Sequence, residues 1–223
     1  MGLAGCRKRA QRALELNPNY AEAHELYGYY YEATGQLDKA DGELRLAQEL
    51  DPLSLVITGD LASIRYYQGR YPEALEMWQK VRELDPNWLP PIFQYGQIFE
   101  RQRMYKEAID ECQSAIAKFG RQPAILSPLG FAYGVSGKRR EAEAIATELE
   151  TSWRRHYFSP VNMALVHTAV GNKEKAFFWL GKAVEARDAQ LVWQRLDPQF
   201  ESLRSDPRFQ ALLQQMEKRD TGR

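Results

Sequence analysis

Hydrophobic residues recur every three or four positions through most of the chain, and short polar segments with Gly or Pro interrupt them. The first two stripes are Ala23, Leu26, Tyr27, Tyr30 and Tyr31, then Leu37, Ala40, Leu44, Ala47 and Leu50. This spacing places apolar side chains on one side of a helix. Gly35 separates the stripes, and glycine is common just beyond a helix because it accepts a positive φ. The pattern therefore predicts two helices joined by a tight turn, with a stop at Asp51-Pro52 because proline cannot continue a helix.

The helix pair recurs at a fixed interval of 34 residues. Alanine stands at one register position throughout, at Ala40, Ala74, Ala108, Ala142 and Ala176. The turn glycine recurs at Gly35, Gly69, Gly137 and Gly171, with Arg103 as the exception. Such a period is typical of a stacked helix–turn–helix repeat. We therefore predict five repeats over 21–54, 55–88, 89–122, 123–156 and 157–188, after a partial repeat over 1–20 that forms an N-terminal cap.

The period stops at Ala189, and two short copies of one pattern follow. These are Asp197-Pro198-Gln199-Phe200 and Asp206-Pro207-Arg208-Phe209. Aspartate as the N-cap with proline at the first helical position is a strong helix-start signal. We predict helices near 198–203 and 206–218, and we assign 189–223 as a C-terminal capping segment that covers the last apolar surface of the array.

These residues resemble the tetratricopeptide repeat family, which has Gly or Ala at the eighth place of the repeat, Ala at the twentieth and Pro near the thirty-second. The resemblance implies an all-α, right-handed α-α superhelix and a non-catalytic module that binds a peptide or protein in its concave groove. The tail from Leu191 to Leu213 also resembles helical-repeat regions of bacterial signalling proteins. The alternative function is therefore a regulatory or sensor domain of a transcription regulator, nucleotide cyclase or kinase.

In that family the groove is lined by the first helix of each repeat at its second, fifth, ninth and twelfth places. The candidate peptide-binding residues are Glu22, Glu25, Tyr29, Glu32, Val56, Ser63, Tyr66, Phe93, Gln97, Arg101 and Phe131. The repeat 21–54 carries eight acidic and two basic residues, a net charge of −6. We expect a partner with Lys or Arg side chains and an apolar anchor over Phe93 and Phe131. A solvated acidic surface is the alternative interpretation of the same stripe.

Composition and motifs argue against other classes of function. Lys plus Arg and Asp plus Glu are both 30, so neither nucleic-acid nor membrane binding is expected. The stretch from Gly134 to Lys138 lacks the first Gly and the Ser or Thr of a phosphate-binding loop. His24, His156 and His167 fall at different places in their repeats. We therefore predict no enzyme activity, no cofactor and no metal site.

Two cysteines, Cys6 and Cys112, are too few for a disulfide framework, which favours a reducing compartment and a cytoplasmic location. Because the chain begins within a repeat, we expect further sequence upstream of Met1. The open surface around Leu3, Cys6 and Ala10 leaves two oligomeric states to consider, a monomer and a weak homodimer.

Overall fold

The computed structural model describes residues 3–88, 90–193 and 195–220. Within these residues the chain is α-helical, with two short 3-10 helices and no strand, so the predicted all-α class is confirmed. The chain divides into two compact units, Met1–Pro91 with Glu217–Arg223, and Ile92–Met216. No helix in the described part of the chain has the length and apolar character needed to cross a bilayer.

The first compact unit is built from consecutive helices that pack against one another. They are α1 (Leu3–Leu16), α2 (Ala21–Ala33), α3 (Leu37–Leu50), α4 (Leu55–Tyr67) and α5 (Tyr71–Leu84). Ala40, Leu44, Leu61 and Ile64 form a buried cluster where α2, α3 and α4 meet. The Ser54 hydroxyl starts α4 by accepting a hydrogen bond from the Ile57 amide at 3.3 Å.

The second compact unit continues the helix pairs. The elements are α6 (Pro90–Arg101), α7 (Tyr105–Phe119), α8 (Pro123–Val135), α9 (Arg139–Trp153), α10 (Val161–Ala169), α11 (Lys173–Glu185), 3-10 helices at Ala189–Trp193 and Pro198–Leu203, and α12 (Pro207–Asp220). The first helix of the fifth repeat is short, because α9 runs to Trp153 and α10 begins only at Val161. The Trp153 indole N–H donates to the Phe158 carbonyl at 3.1 Å and closes this connection.

The turns between paired helices share one backbone conformation. The turn glycines have positive φ, at Gly35 (77°), Gly69 (77°), Gly137 (83°) and Gly171 (76°). Arg103 adopts the same conformation with φ of 60°. The turn at Arg103 also has the two hydrogen bonds that the glycine turns have. The Arg103 amide donates to the Glu100 carbonyl, and the Met104 amide donates to the Phe99 carbonyl. The third repeat therefore keeps the turn without the glycine, at a cost of about 1 kcal/mol.

Small residues stand where helices approach most closely. The five register alanines, Ala40, Ala74, Ala108, Ala142 and Ala176, are fully buried. A Cβ on Gly28 would lie 2.5 Å from Leu44 Cγ, so only glycine fits there. A Cβ on Gly134 would lie 2.6 Å from the Cβ of Ala169 and 3.0 Å from its carbonyl carbon. In that region α8 and α10 meet almost backbone to backbone.

Candidate functional site

The candidate groove residues of the first compact unit differ widely in exposure. On α2, Glu22 is exposed and Glu25 and Tyr29 are partly buried. On α4, Val56 is 47% exposed, and Ser63 donates to the Gly59 carbonyl at 3.1 Å. These residues remain candidates for a contact surface.

The two groove candidates at the twelfth place of a repeat are both buried. Glu32 is 6% exposed and Tyr66 is 1% exposed. The Tyr66 ring packs against Tyr71, at the start of the next helix, with a centroid separation of 5.8 Å. The side chain at this place lies within the helix packing, so the structure does not present Glu32 or Tyr66 on an open surface.

Three carboxyl groups influence one another across α2 and α4. Burial raises the pKa of Asp60 to about 7, and the nearby Glu25 carboxylate adds to the increase. Burial also raises the pKa of Glu25, with a further contribution from Glu22. Among the residues that the structure describes, no cation forms an ion pair with these groups. We call Glu22, Glu25 and Asp60 the acidic face.

Sequence reasoning did not include Asp60 among the groove residues, because it occupies the sixth place of its repeat. A signal was present, since Asp60 and Arg65 are the only charged residues in an otherwise apolar α4. Arg65 is also buried, but its guanidinium donates to the Asp41 carboxylate and, at 3.2 Å, to Gln68. The Asp41 carboxylate thus neutralises the charge of Arg65 within the fold, whereas the charge that acts on Asp60 is the like charge of Glu25.

In the second compact unit the first-helix residues contact the end of the chain itself. The Gln97 amide donates to Gln199 Oε1 at 3.0 Å and to Asp197 Oδ2 at 3.4 Å. The Gln199 amide donates to Glu100 Oε2 at 2.6 Å. Arg101 lies 3.5 Å from the Glu201 carboxylate. We call residues Asp197–Leu203 the docked turn.

The C-terminal segment contacts more than the end of the array, because the docked turn lies against first helices of the repeats. It packs against α10, the first helix of the fifth repeat, as well as bonding to α6. The 3-10 helix Ala189–Trp193 packs against α11, the second helix of the fifth repeat. From α12, Arg208 also reaches α11, where it binds Glu174 at 2.9 Å and covers the Phe177 ring at 4.1 Å. The candidate Phe131 is 6% exposed, and the side chain of the candidate Phe93 lies outside the described residues.

Two carboxyl groups, Glu100 of α6 and Asp197 of the docked turn, are buried. Burial raises the pKa of Glu100 well above its ordinary value, the hydrogen bond from Gln199 opposes the increase, and the Asp197 charge adds to it. Burial raises the pKa of Asp197 to about 6. Glu100 Oε1 is buried and accepts no hydrogen bond from any described residue.

Two of the three histidines, His24 and His167, have structural partners. His24 bonds to the Glu43 carboxylate at 2.7 Å and to the Pro18 carbonyl at 2.9 Å, and His167 bonds to Glu150 at 2.8 Å. Across residues 3–88, 90–193 and 195–220, no group of three His, Cys, Asp or Glu side chains is arranged to hold a metal ion. Gly137, in the phosphate-loop-like stretch, is the left-handed turn residue between α8 and α9.

Known proteins share both the sequence pattern and the fold. Two models of the tetratricopeptide repeat match residues 10–41 and 60–123. Tetratricopeptide repeat protein 37 of Xenopus laevis is 26% identical over 170 residues, which are 76% of this chain and 10% of that protein. The chain thus spans about a tenth of the length of this relative.

Solved structures with the same fold include a chain of the APC/C hetero-tetramer Cut9–Hcn1. It matches with a TM-score of 0.67 at 13% identity, over 99% of this chain and 44% of that chain. A thermophilic tetratricopeptide repeat protein of Thermus thermophilus, TTC0263, matches with a TM-score of 0.61 at 18% identity, over 82% of this chain and 100% of its own. The repeat signature over 10–41 and 60–123 is therefore that of the tetratricopeptide repeat, and the helix pairs have the fold of solved tetratricopeptide repeat proteins.

Proposed function

We propose that this chain is a non-catalytic protein-binding module whose acidic face receives a segment with Lys or Arg side chains. Proteins of the tetratricopeptide repeat family generally mediate protein–protein interactions. The observation that carries the finer proposal is the grouping of Glu22 and Glu25 on α2 with Asp60 on α4, with no ion-paired cation among the described residues. Burial and like charge accordingly raise the pKa of Asp60 and Glu25.

A cationic side chain would relieve both effects at once. Bringing a positive charge beside Asp60 favours its ionised form and lowers its pKa. Because the bound state then holds fewer protons than the free state, affinity rises with pH up to about 7. An exposed acidic surface with ordinary pKa values would show no such dependence in this range.

An apolar contact beside the charges adds to this proposal. The sequence predicts that an apolar side chain of the partner packs on Phe93 and Phe131. Phe131, however, is buried within the second compact unit. Val56, at the start of α4, is 47% exposed and was also a candidate groove residue. We therefore assign the apolar contact of the partner to Val56.

A fluorescein-labelled octapeptide of alternating Lys and Leu is the probe for this proposal. The double variant Glu22→Lys, Glu25→Lys is expected to weaken its binding at least tenfold and to reduce the salt dependence. The matched control is Asp38→Lys, Glu49→Lys, which makes the same charge change at exposed positions of α3. Fluorescence anisotropy at 50 and 300 mM salt measures both, and equal losses in the two double variants would refute the assignment to the acidic face.

The variant pair leaves out Glu32, the third acidic residue of the α2 stripe. Reversal of Glu32 together with Glu25 would test the same stripe, but Glu32 is buried. A lysine at a buried position is destabilising whether or not a ligand binds. Glu22 is exposed, so its reversal changes the surface charge without disturbing the packing.

A further inference from the structure

The docked turn is a folded structure with its own caps. Asp197 Oδ1 accepts a hydrogen bond from the backbone N–H of Gln199 at 2.9 Å, and Asp197 thereby caps the start of the 3-10 helix. The Arg204 guanidinium donates to the carbonyls of Leu196 at 2.8 Å and Asp197 at 3.0 Å. These bonds fix the shape of the turn from within. Its contacts with α6 and α10 are therefore contacts between a preformed turn and a helix surface.

The receiving surface uses first-helix places of the repeat. Gln97, on α6, is at the ninth place of the third repeat and binds the side-chain amide of Gln199. The corresponding ninth-place residues of the first compact unit, Tyr29 and Ser63, are only partly buried. On the docked turn, Phe200 is 1% exposed, so an aromatic ring beside the amide supplies the apolar contact.

The fit between the two surfaces is incomplete. Glu100 Oε2 accepts the Gln199 amide, but Glu100 Oε1 is buried and has no donor among the described residues. Leaving a buried acceptor unpaired is costly. A segment that supplied one more donor at this position would bind the surface better than the docked turn does.

We propose that the first-helix surface of α6 and α10 is a second peptide-binding surface, that the docked turn is its intramolecular ligand, and that a partner segment carrying a side-chain amide followed by an aromatic ring competes for it. This surface shares no residue with the acidic face, so either assignment stands or fails without the other.

The protonation of Glu100 and Asp197 controls the stability of the docked state of the turn. Glu100 is faced by Asp197 from the docked turn, by Arg101 on its own helix and by the Cys112 thiol of α7. Asp197 is faced by Arg204 and Arg101. Because the pKa of both carboxyl groups is raised in the docked state, docking is strongest below their ordinary pKa values. It weakens as pH rises through about 6 for Asp197 and higher for Glu100. Release of the docked turn is therefore favoured at neutral and alkaline pH.

A labelled peptide of residues 195–205 tests the surface in the full chain. In Gln199→Ala the docked turn loses the two side-chain hydrogen bonds that Gln199 makes with Gln97 and Glu100, so the turn binds its surface about ten- to hundredfold more weakly. The peptide is then expected to bind Gln199→Ala at least tenfold more tightly than the wild type at pH 7.5, as measured by fluorescence anisotropy. The matched control is Gln210→Ala, an exposed glutamine of α12, which should behave as the wild type. A peptide with alanine in place of its phenylalanine should bind neither.

Hydrogen exchange decides whether the turn is a ligand or part of the core. In Gln199→Ala, faster exchange confined to residues 197–204 supports the proposal. Loss of protection throughout α6 to α10 overturns it, because the turn would then be an integral part of the fold. Equal peptide affinity in the wild type and in Gln199→Ala also overturns it.

The pH dependence gives an independent measurement. Relative to intrinsic exchange rates, protection of residues 197–204 in the wild type should fall at least tenfold between pH 5.5 and pH 8.0. Glu100→Gln keeps an acceptor for Gln199 but does not titrate, so the decrease should be smaller. The control Glu107→Gln, at an exposed position of α7, should retain the full decrease. Protection that is independent of pH in the wild type, or falls equally in all helices, contradicts the proposal.

Discussion

Replacing Asp60 by asparagine tests the electrostatics of the acidic face directly. The pKa of Asp60 is about 7, against an ordinary value of 3.8. At about 1.4 kcal/mol per pKa unit, the ionised side chain destabilises the folded state by at most about 4 kcal/mol. Because Asp60 is partly exposed, water screens this interaction, and about 1–2 kcal/mol is the expected effect.

The sign of the effect follows from the direction of the pKa change. The folded state holds the Asp60 proton more tightly than the unfolded state. The contribution of Asp60 to stability is therefore most favourable below pH 3.8 and falls as pH rises to about 7. Asparagine does not titrate and escapes this loss. Asp60→Asn should thus be close to the wild type at pH 4 and more stable by about 1–2 kcal/mol at pH 8.

Urea unfolding followed by circular dichroism at pH 4, 6 and 8 measures the difference. Asp38→Asn, at an exposed position of α3, serves as the control and should show no growing difference with pH. A stability difference for Asp60→Asn that is the same at pH 4 and pH 8 would refute the reasoning, because a burial effect on ionisation must depend on pH.

Four further outcomes are expected. Arg103→Gly should raise the melting temperature by about 2–4 °C, because glycine adopts the positive φ of this turn without the cost to a side chain, and calorimetry measures it. Gly28→Ala should lower the free energy of unfolding by about 1–3 kcal/mol, since the new Cβ would overlap Leu44. Gly42→Ala, where a Cβ meets nothing within 4 Å, should instead raise it by up to about 1 kcal/mol in the same urea titration. Binding of the Lys-Leu octapeptide should weaken when the pH is lowered from 7.5 to 5.5, and unchanged affinity would argue against protonation of Asp60 in this range.

The helix pairs were predictable from sequence because each depends on local periodicity and on small residues at fixed intervals. Even the departure at Arg103 preserves the turn, since the left-handed conformation is required by the packing of the two helices and not by glycine itself. The delayed start of α10 at Val161 was harder to predict, because the connection is closed by a tryptophan side chain and not by a turn signal.

The candidate site was only partly predictable. The acidic character of the first repeat is evident from charge alone, but the raised pKa of Asp60 arises from burial and from an acid on another helix. The docked turn was expected to cap the array. Its hydrogen bonds join Gln97 and Glu100 to Gln199 across about a hundred residues of sequence. Contacts at that separation produce no periodic pattern of residues in the sequence.

The close approach of Gly134 to Ala169 has a consequence for the kinetics of binding. With α8 and α10 almost in backbone contact, α10 has no room to shift towards α8, so its surface is preorganised. A ligand that replaces the docked turn then meets a surface already in its bound shape, and release of the turn becomes the slow step. The observed association rate should level off at high peptide concentration, and the plateau is the opening rate of the docked turn.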